Sequence, residues 1–200
     1  MTETNRVGSI RTKKALIRKE MLKKRHALAK DDRERLSGII CRAFLESDDY
    51  KNAGSILLYK AYNNEVDTDA IFRKAMEDGK TVAYPISRMT GGEPDLDFYI
   101  ITDHKQLTKG FMDIPEPDPS QDLEKFTGTA DICVTPGVSF DRKCHRIGYG
   151  KAFYDRYIRL NTPKTVIGLA YCLQIADDFD PEDSDKAVDK VITEQEILIR

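Results

Sequence analysis

The 200-residue chain has no tryptophan, four cysteines, three histidines and no long apolar run. Each shortage removes a class of protein. A membrane-spanning helix needs about 20 predominantly apolar residues in succession, which no stretch here approaches. Cys41, Cys133, Cys144 and Cys172 lack both the paired spacing of a zinc site and the density of a secreted disulfide scaffold. They read as reduced thiols of a cytoplasmic protein. Cys144 lies between Lys143 and His145, but no partner for nucleophilic chemistry accompanies it. His26, His104 and His145 show no metal-ligand spacing. Nor does charge of one sign dominate: 32 Lys+Arg against 34 Asp+Glu give a net charge of -2. That balance, with no RNA-recognition motif, speaks against a nucleic-acid binder. The start of the chain is polar and basic, unlike the apolar centre of a secretory signal. What remains is a globular chain, 40% hydrophobic, with material for one core and one domain over residues 1–200.

Charge is balanced overall but not locally. Between positions 6 and 25 there are nine basic residues against Glu20 alone. Between positions 177 and 189 there are seven acidic residues against Lys186 alone. Solvated faces are the ordinary explanation of such runs. They also make the first segment a candidate anion binder and the second a candidate cation site.

Hydrophobic spacing predicts a helix over residues 9–29, with Ile10, Ile17, Met21 and Leu28 on one stripe. Lys14 and Arg18, four apart on a neighbouring face, can reach one anion. A second helix is expected from Asp31, where Asp31 and Glu34 have the spacing of a capping box. Leu36, Ile40, Ala43 and Phe44 form its apolar face. A helix capped by Asp67 or Thr68 should stop at Gly79, and another should run over 150–160. Short apolar runs predict strands at 55–59, 81–84 (ended by Pro85), 96–101, 132–135, 165–170 and 188–193. Residues 114–119 read as a proline-rich loop. This alternation predicts an α/β protein, three-layer α/β/α around a mainly parallel, Rossmann-like sheet.

Chemistry concentrates after the fourth of those strands. Thr135-Pro136-Gly137-Val138-Ser139-Phe140-Asp141 leads to Arg146-Ile147-Gly148-Tyr149-Gly150-Lys151-Ala152-Phe153-Tyr154-Asp155-Arg156. Gly148 and Gly150 let backbone N–H groups approach an anion with no Cβ in the way. The helix start adds free N–H donors, Arg146 and Lys151 add full charges, and Asp155 can hold a phosphate-bound magnesium ion. Gly-x-Gly alone is equally an ordinary tight turn, and neither a Walker loop nor a full dinucleotide fingerprint is present. The density of Arg, Lys, Gly and Asp is what favours phosphate.

This stretch closely resembles the 5-formyltetrahydrofolate cyclo-ligase family, with its PG-hydrophobic-x-FD segment and following glycine-rich R-L-G-x-G-x-G run. Further similarities keep the family's order. They are Lys14 with Arg18, the Asn64-Glu65-Val66-Asp67-Thr68 segment, Ile114-Pro115-Glu116-Pro117, and the closing run from Asp185 to Thr193. Ala152 stands where the family usually has a third glycine.

The resemblance implies ATP-dependent closure of 5-formyltetrahydrofolate to 5,10-methenyltetrahydrofolate, with release of ADP and phosphate. The formyl oxygen would be phosphorylated and N10 would attack. It implies that Lys14, Arg18 and Arg146, Ile147, Gly148, Tyr149, Gly150, Lys151, Ala152, Phe153 and Tyr154 bind ATP. Arg18, Arg146 and Lys151 would stabilise the transferred group. Lys60, Tyr62 and Glu65, with Gly148 to Ala152, would contact the folate, and Asp155 and Asp189 would hold Mg²⁺. A monomer acting on a small molecule, away from membranes and nucleic acids, is expected. The competing readings are a folate- or nucleotide-binding module without turnover, and a sugar-phosphate isomerase or CoA-transferase-like enzyme.

Overall fold

Alternate residues of the short apolar runs bury in opposite directions, and this sets the layers. The computed structural model describes residues 3–177 and 179–200. Its helices are α1 (Glu3–Ala27), α2 (Lys30–Glu46), α3 (Asp48–Asn52), α4 (Asp69–Glu77) and α5 (Phe153–Asn161). The first strands are β1 (Ser55–Leu57), β2 (Thr81–Thr90), β3 (Glu93–Ile100), β4 (Leu107–Lys109), β5 (Pro115–Pro117) and β6 (Ile132–Thr135). The later ones are β7 (Ser139–Asp141), β8 (Arg146–Ile147), β9 (Thr165–Leu169), β10 (Ile175–Ala176), β11 (Lys190–Ile192) and β12 (Ile197–Ile199).

The main sheet has seven strands in the order β12-β11-β9-β6-β1-β2-β3. Its five inner strands are parallel, and both edge strands, β12 and β3, run antiparallel. Ile56, Val82, Val134 and Ile167 pack with Ile40, Phe44 and Ile71 of α2 and α4. Their neighbours Leu57, Ala83, Cys133 and Val166 pack on the other face with Phe140 and with Tyr157 of α5. The period-two alternation of a strand thus supplies two cores from one sheet. This is the expected α/β class with a large, mainly parallel sheet.

The chain builds β1, β2 and β3 outward in one direction, then returns to lay β6, β9, β11 and β12 in the other. The topological reversal lies between β1 and β6, where open α/β sheets form a crevice beyond the strands' carboxyl ends. A small sheet, β10-β7-β8, sits just past β6.

Several boundaries differ from expectation. The α2 cap is Ala29, with no side-chain bond, so Asp31 lies in the first turn. β2 continues through Pro85, paired there with Phe98. Ala83 bonds toward β1 and Val82 toward β3, so alternation points the Pro85 nitrogen to the β1 side. β1 has ended there, and proline forfeits no ladder bond. The proline-rich loop contains β5, which pairs with β4. α5 starts at Phe153 rather than at 150, because Gly150 (φ 88°) and Ala152 (φ 55°) are left-handed.

Candidate functional site

α1 brings an unusual stripe to the molecule. Among its described side chains Ile10, Lys14, Met21 and Arg25 are buried, with Arg18 half-buried between them. The spacing is that of a core-facing helix surface, yet three of the five side chains are cations. Arg18 Nε donates to the Gly148 carbonyl at 2.7 Å. Lys14 is ion-paired with Asp185 and, at 3.3 Å, with Glu182, which also takes Arg11 at 3.0 Å. Burial lowers the Arg18 pKa from its usual value.

Opposite α1, the 148–152 loop leads from β8 into α5. Arg146 is buried, donates to Asp155 at 2.9 Å, and leaves its Nε without a partner. Its guanidinium lies 5.7 Å from the centre of the Tyr154 ring. A Cβ on Gly148 would sit 2.8 Å from Arg146 Nη1, so glycine keeps that cation against the backbone. Asp155 also accepts the Lys186 N–H at 3.1 Å.

A third wall follows β1. Asn63 (φ 53°) and Asn64 (φ 61°) make a left-handed turn that folds Glu65 back onto its own segment. Glu65 Oε2 accepts the Tyr62 N–H at 3.0 Å. Burial pushes this carboxyl up to about 7, against the pull of the Arg25 cation, the Tyr62 N–H and the Tyr149 hydroxyl. Lys60, at the same edge, is paired with Asp69.

These three walls enclose a cavity of about 550 Å³. Its far end is apolar, lined by Leu96, Phe111, Met112, Ile114 and Phe153. Buried Glu116 is fixed there by the Ser87 N–H at 3.0 Å and the Phe111 N–H at 3.2 Å. One cavity therefore offers cations and backbone donors at one side, an ionisable carboxyl at another and an apolar slot at the third. That combination suits a substrate with both a polyphosphate and a flat heterocycle.

The family model described as the 5-formyltetrahydrofolate cyclo-ligase family matches residues 10–194. The chain belongs to that family. A probable 5-formyltetrahydrofolate cyclo-ligase of Caenorhabditis elegans is 28% identical, over 96% of this chain and 98% of its own length. The cyclo-ligase of Mus musculus is 24% identical, over 93% and 96%. The 5,10-methenyltetrahydrofolate synthetase structure from Aquifex aeolicus superposes with a TM-score of 0.77 at 26% identity, over 93% of this chain and 92% of that one. A second such synthetase, from Mycoplasma pneumoniae, gives 0.69 at 26% identity, over 90% and 98%.

Most of the residues expected from the cyclo-ligase resemblance meet in this cavity. Lys14, Arg18, Lys60, Tyr62, Glu65, Arg146, Gly148, Tyr149, Gly150, Lys151, Ala152, Phe153, Tyr154 and Asp155 all line it. Two do not. The Ile147 side chain is buried in β8, opposite Ser139 of β7. Asp189 accepts the Val166 N–H at 2.8 Å and the Arg200 guanidinium at 3.0 Å, tying β9 to the C-terminal strand. Asp185, four residues earlier, is the aspartate of the closing motif that reaches the cavity. Sequence reasoning passed over it, and over Glu182, Glu116 and Arg25. Asp185 was visible as the first residue of the closing motif, and Glu182 only as a member of an acidic run.

Proposed function

We propose that this protein couples the cleavage of ATP to closure of 5-formyltetrahydrofolate, giving 5,10-methenyltetrahydrofolate, ADP and phosphate. The observation carrying this reading is the placement of the Arg18 and Arg146 cations and the 148–152 loop on the same cavity as Glu65.

The donor set fits a triphosphate. Arg146 Nε is buried with no protein partner, and Gly150, at φ +88°, lies against the Arg18 guanidinium, which a Cβ there would touch at 3.6 Å. Lys14, Arg18, Arg146, Lys151 and the loop N–H groups would hold the phosphates. The set also fits magnesium. Asp155 and Asp185 are cavity carboxylates beside those cations, and magnesium needs only one or two carboxylates when phosphate oxygens and water complete its shell. Among the described residues no group of three or more ligating side chains is preassembled. Asp185 takes the place in this proposal that the sequence assigned to Asp189.

ATP supplies a phosphoryl group that converts the formyl oxygen into a leaving group, and magnesium offsets charge on the transferred phosphate. The chain's own contribution is placement and charge. Glu65, when ionised, accepts two N–H bonds from the aminopyrimidine edge of the pterin. Tyr62, Phe153 and Tyr154 flank the ring system. Arg18, Arg146 and Lys151 converge on the oxygen that gains negative charge as phosphate departs. Attack by N10 is intramolecular, so holding the folate with N10 over the activated carbon removes much of the barrier.

Every residue in this scheme comes from one chain, in keeping with a monomeric enzyme, which we place in the cytoplasm. Among the described residues no helix is long and apolar enough to cross a membrane. The test is direct. Mixing protein, 5-formyltetrahydrofolate, ATP and Mg²⁺ should generate the methenyl chromophore with stoichiometric ADP. Absence of product despite binding of both substrates would refute the reading.

A further inference from the structure

We propose that Arg25 is a positioning residue that couples the folate carboxylate Glu65 to the phosphate loop through the hydroxyl of Tyr149. This rests on the folate and nucleotide assignments made above. Arg25 does not line the cavity and has no part in that scheme. It is nonetheless completely buried, two helical turns beyond Arg18 on the inward stripe of α1.

One arm of its guanidinium is anchored to the frame. Nη1 donates to the Gly137 carbonyl at 3.1 Å, which also accepts Gln174 Nε2 at 2.9 Å. The Phe140 ring packs directly on Gly137, where a Cβ would lie 2.4 Å from it. The other arm, Nη2, donates to the hydroxyl of Tyr149, which stands between the two glycines of the phosphate loop. Tyr149 in turn packs edge-on against Tyr62, whose N–H Glu65 accepts, and its hydroxyl lowers the pKa of the Glu65 carboxyl. Arg25 Nε has no partner.

A buried cation so incompletely satisfied is tolerated only where a charge faces it. Glu65 is the nearby carboxyl that feels this cation, although no direct ion pair joins the two. The groups around Glu65 are Arg25 from α1, Tyr149 from the loop, Tyr154 from α5, Tyr59 and the Tyr62 N–H. Tyr171 donates to its backbone carbonyl. Arg25 is the only cation among these. Folate recognition requires the ionised carboxylate, and ionisation strengthens the Arg25–Tyr149–Glu65 chain. Tyr149 is then held, and the loop on either side of it loses less freedom when phosphate arrives. Coupling of this kind is reciprocal, so nucleotide must tighten folate by the same factor.

The test is calorimetric titration of the full chain with 5-formyltetrahydrofolate, with and without the β,γ-imido analogue of ATP and Mg²⁺. The wild type should bind folate about fivefold or more tightly with nucleotide present. Tyr149→Phe removes one hydroxyl and should bring that factor to about 1. Arg25→Lys keeps the charge but loses the fork, and should retain the wild-type pH midpoint of folate binding while losing the coupling. Arg25→Met should move that midpoint alkaline by about one pH unit or more. Unchanged coupling in both Tyr149→Phe and Arg25→Lys overturns the inference, as does an unchanged midpoint in Arg25→Met. A merely structural Arg25 would lower thermal stability and move neither quantity. Wild-type protein that binds both ligands without coupling refutes this inference alone, and failure to bind folate refutes the functional reading beneath it.

Discussion

Folate affinity should depend on pH through Glu65, and the dependence can be worked out in advance. Burial raises this carboxyl from an ordinary 4.5 to about 7. That displacement corresponds to about 3 kcal/mol in favour of the neutral form. Only the ionised form can accept both N–H donors of the pterin edge. At pH 6 about one carboxyl in ten is ionised, and at pH 8 about nine in ten. The dissociation constant for 5-formyltetrahydrofolate should therefore be about tenfold weaker at pH 6 than at pH 8, levelling above that. The sign for stability is opposite. A carboxyl raised in the folded state contributes fully below its unfolded value, and that contribution is lost as pH rises through about 7. Ligand-free protein should thus lose stability between pH 4.5 and 7 while its affinity for folate grows. Glu65→Gln should bind folate about 10- to 100-fold more weakly and with no slope, because a charge-assisted pair is replaced by a neutral one. Calorimetric titration at four or five pH values decides the matter. A flat wild-type profile between pH 6 and 8, or a slope that survives in Glu65→Gln, would refute the reasoning.

Asp155→Asn should lower Mg²⁺-dependent turnover about 100-fold while the protein still folds, read by steady-state kinetics beside circular dichroism. Asp185→Asn should raise the Mg²⁺ concentration needed for half-maximal rate, whereas Asp189→Asn should leave it unchanged and cost about 1 kcal/mol in urea unfolding through the lost Val166 and Arg200 contacts. Ala152→Gly should stabilise the protein by about 1 kcal/mol, because residue 152 is left-handed (φ 55°, ψ 20°) and glycine takes that conformation freely. Asp131, held by Lys164 and by the Gly54 and Ser55 N–H groups, is depressed to about 2. Its contribution is present above about pH 4 and disappears as pH falls through 2, so Asp131→Asn should destabilise at pH 7 and not in strong acid.

The inner strands were legible because each is a short apolar run whose neighbours bury on both faces, as Ile56 and Leu57 do. The glycine-rich loop was legible because a dense mixture of Arg, Lys, Gly and Asp is rare by chance. What escaped depends on direction rather than residue type. Asp185 and Asp189 are chemically identical, and their roles separate only because Asp189 abuts β11 and is taken by the Val166 N–H and Arg200, whereas Asp185, in the preceding loop, meets Lys14. Arg25 belongs to a basic run that reads as a solvated helix face. Its burial exists only once β6, β7 and the loop before α5 close over it. β2 passed through Pro85 because a tertiary fact, the early end of β1, removed the usual penalty for proline in a strand.

The inward surface of α1 has a final consequence. A helix glued by leucines is indifferent to salt and to ligands, but this one is moored by Lys14, Arg18 and Arg25, whose moorings are carboxylates, carbonyls and a phenol. Screening loosens such ropes and a polyanion tightens them. The first 27 residues should therefore be nicked by protease more readily in high salt and be guarded by nucleotide, making this segment a gauge of occupancy as well as a wall of the site.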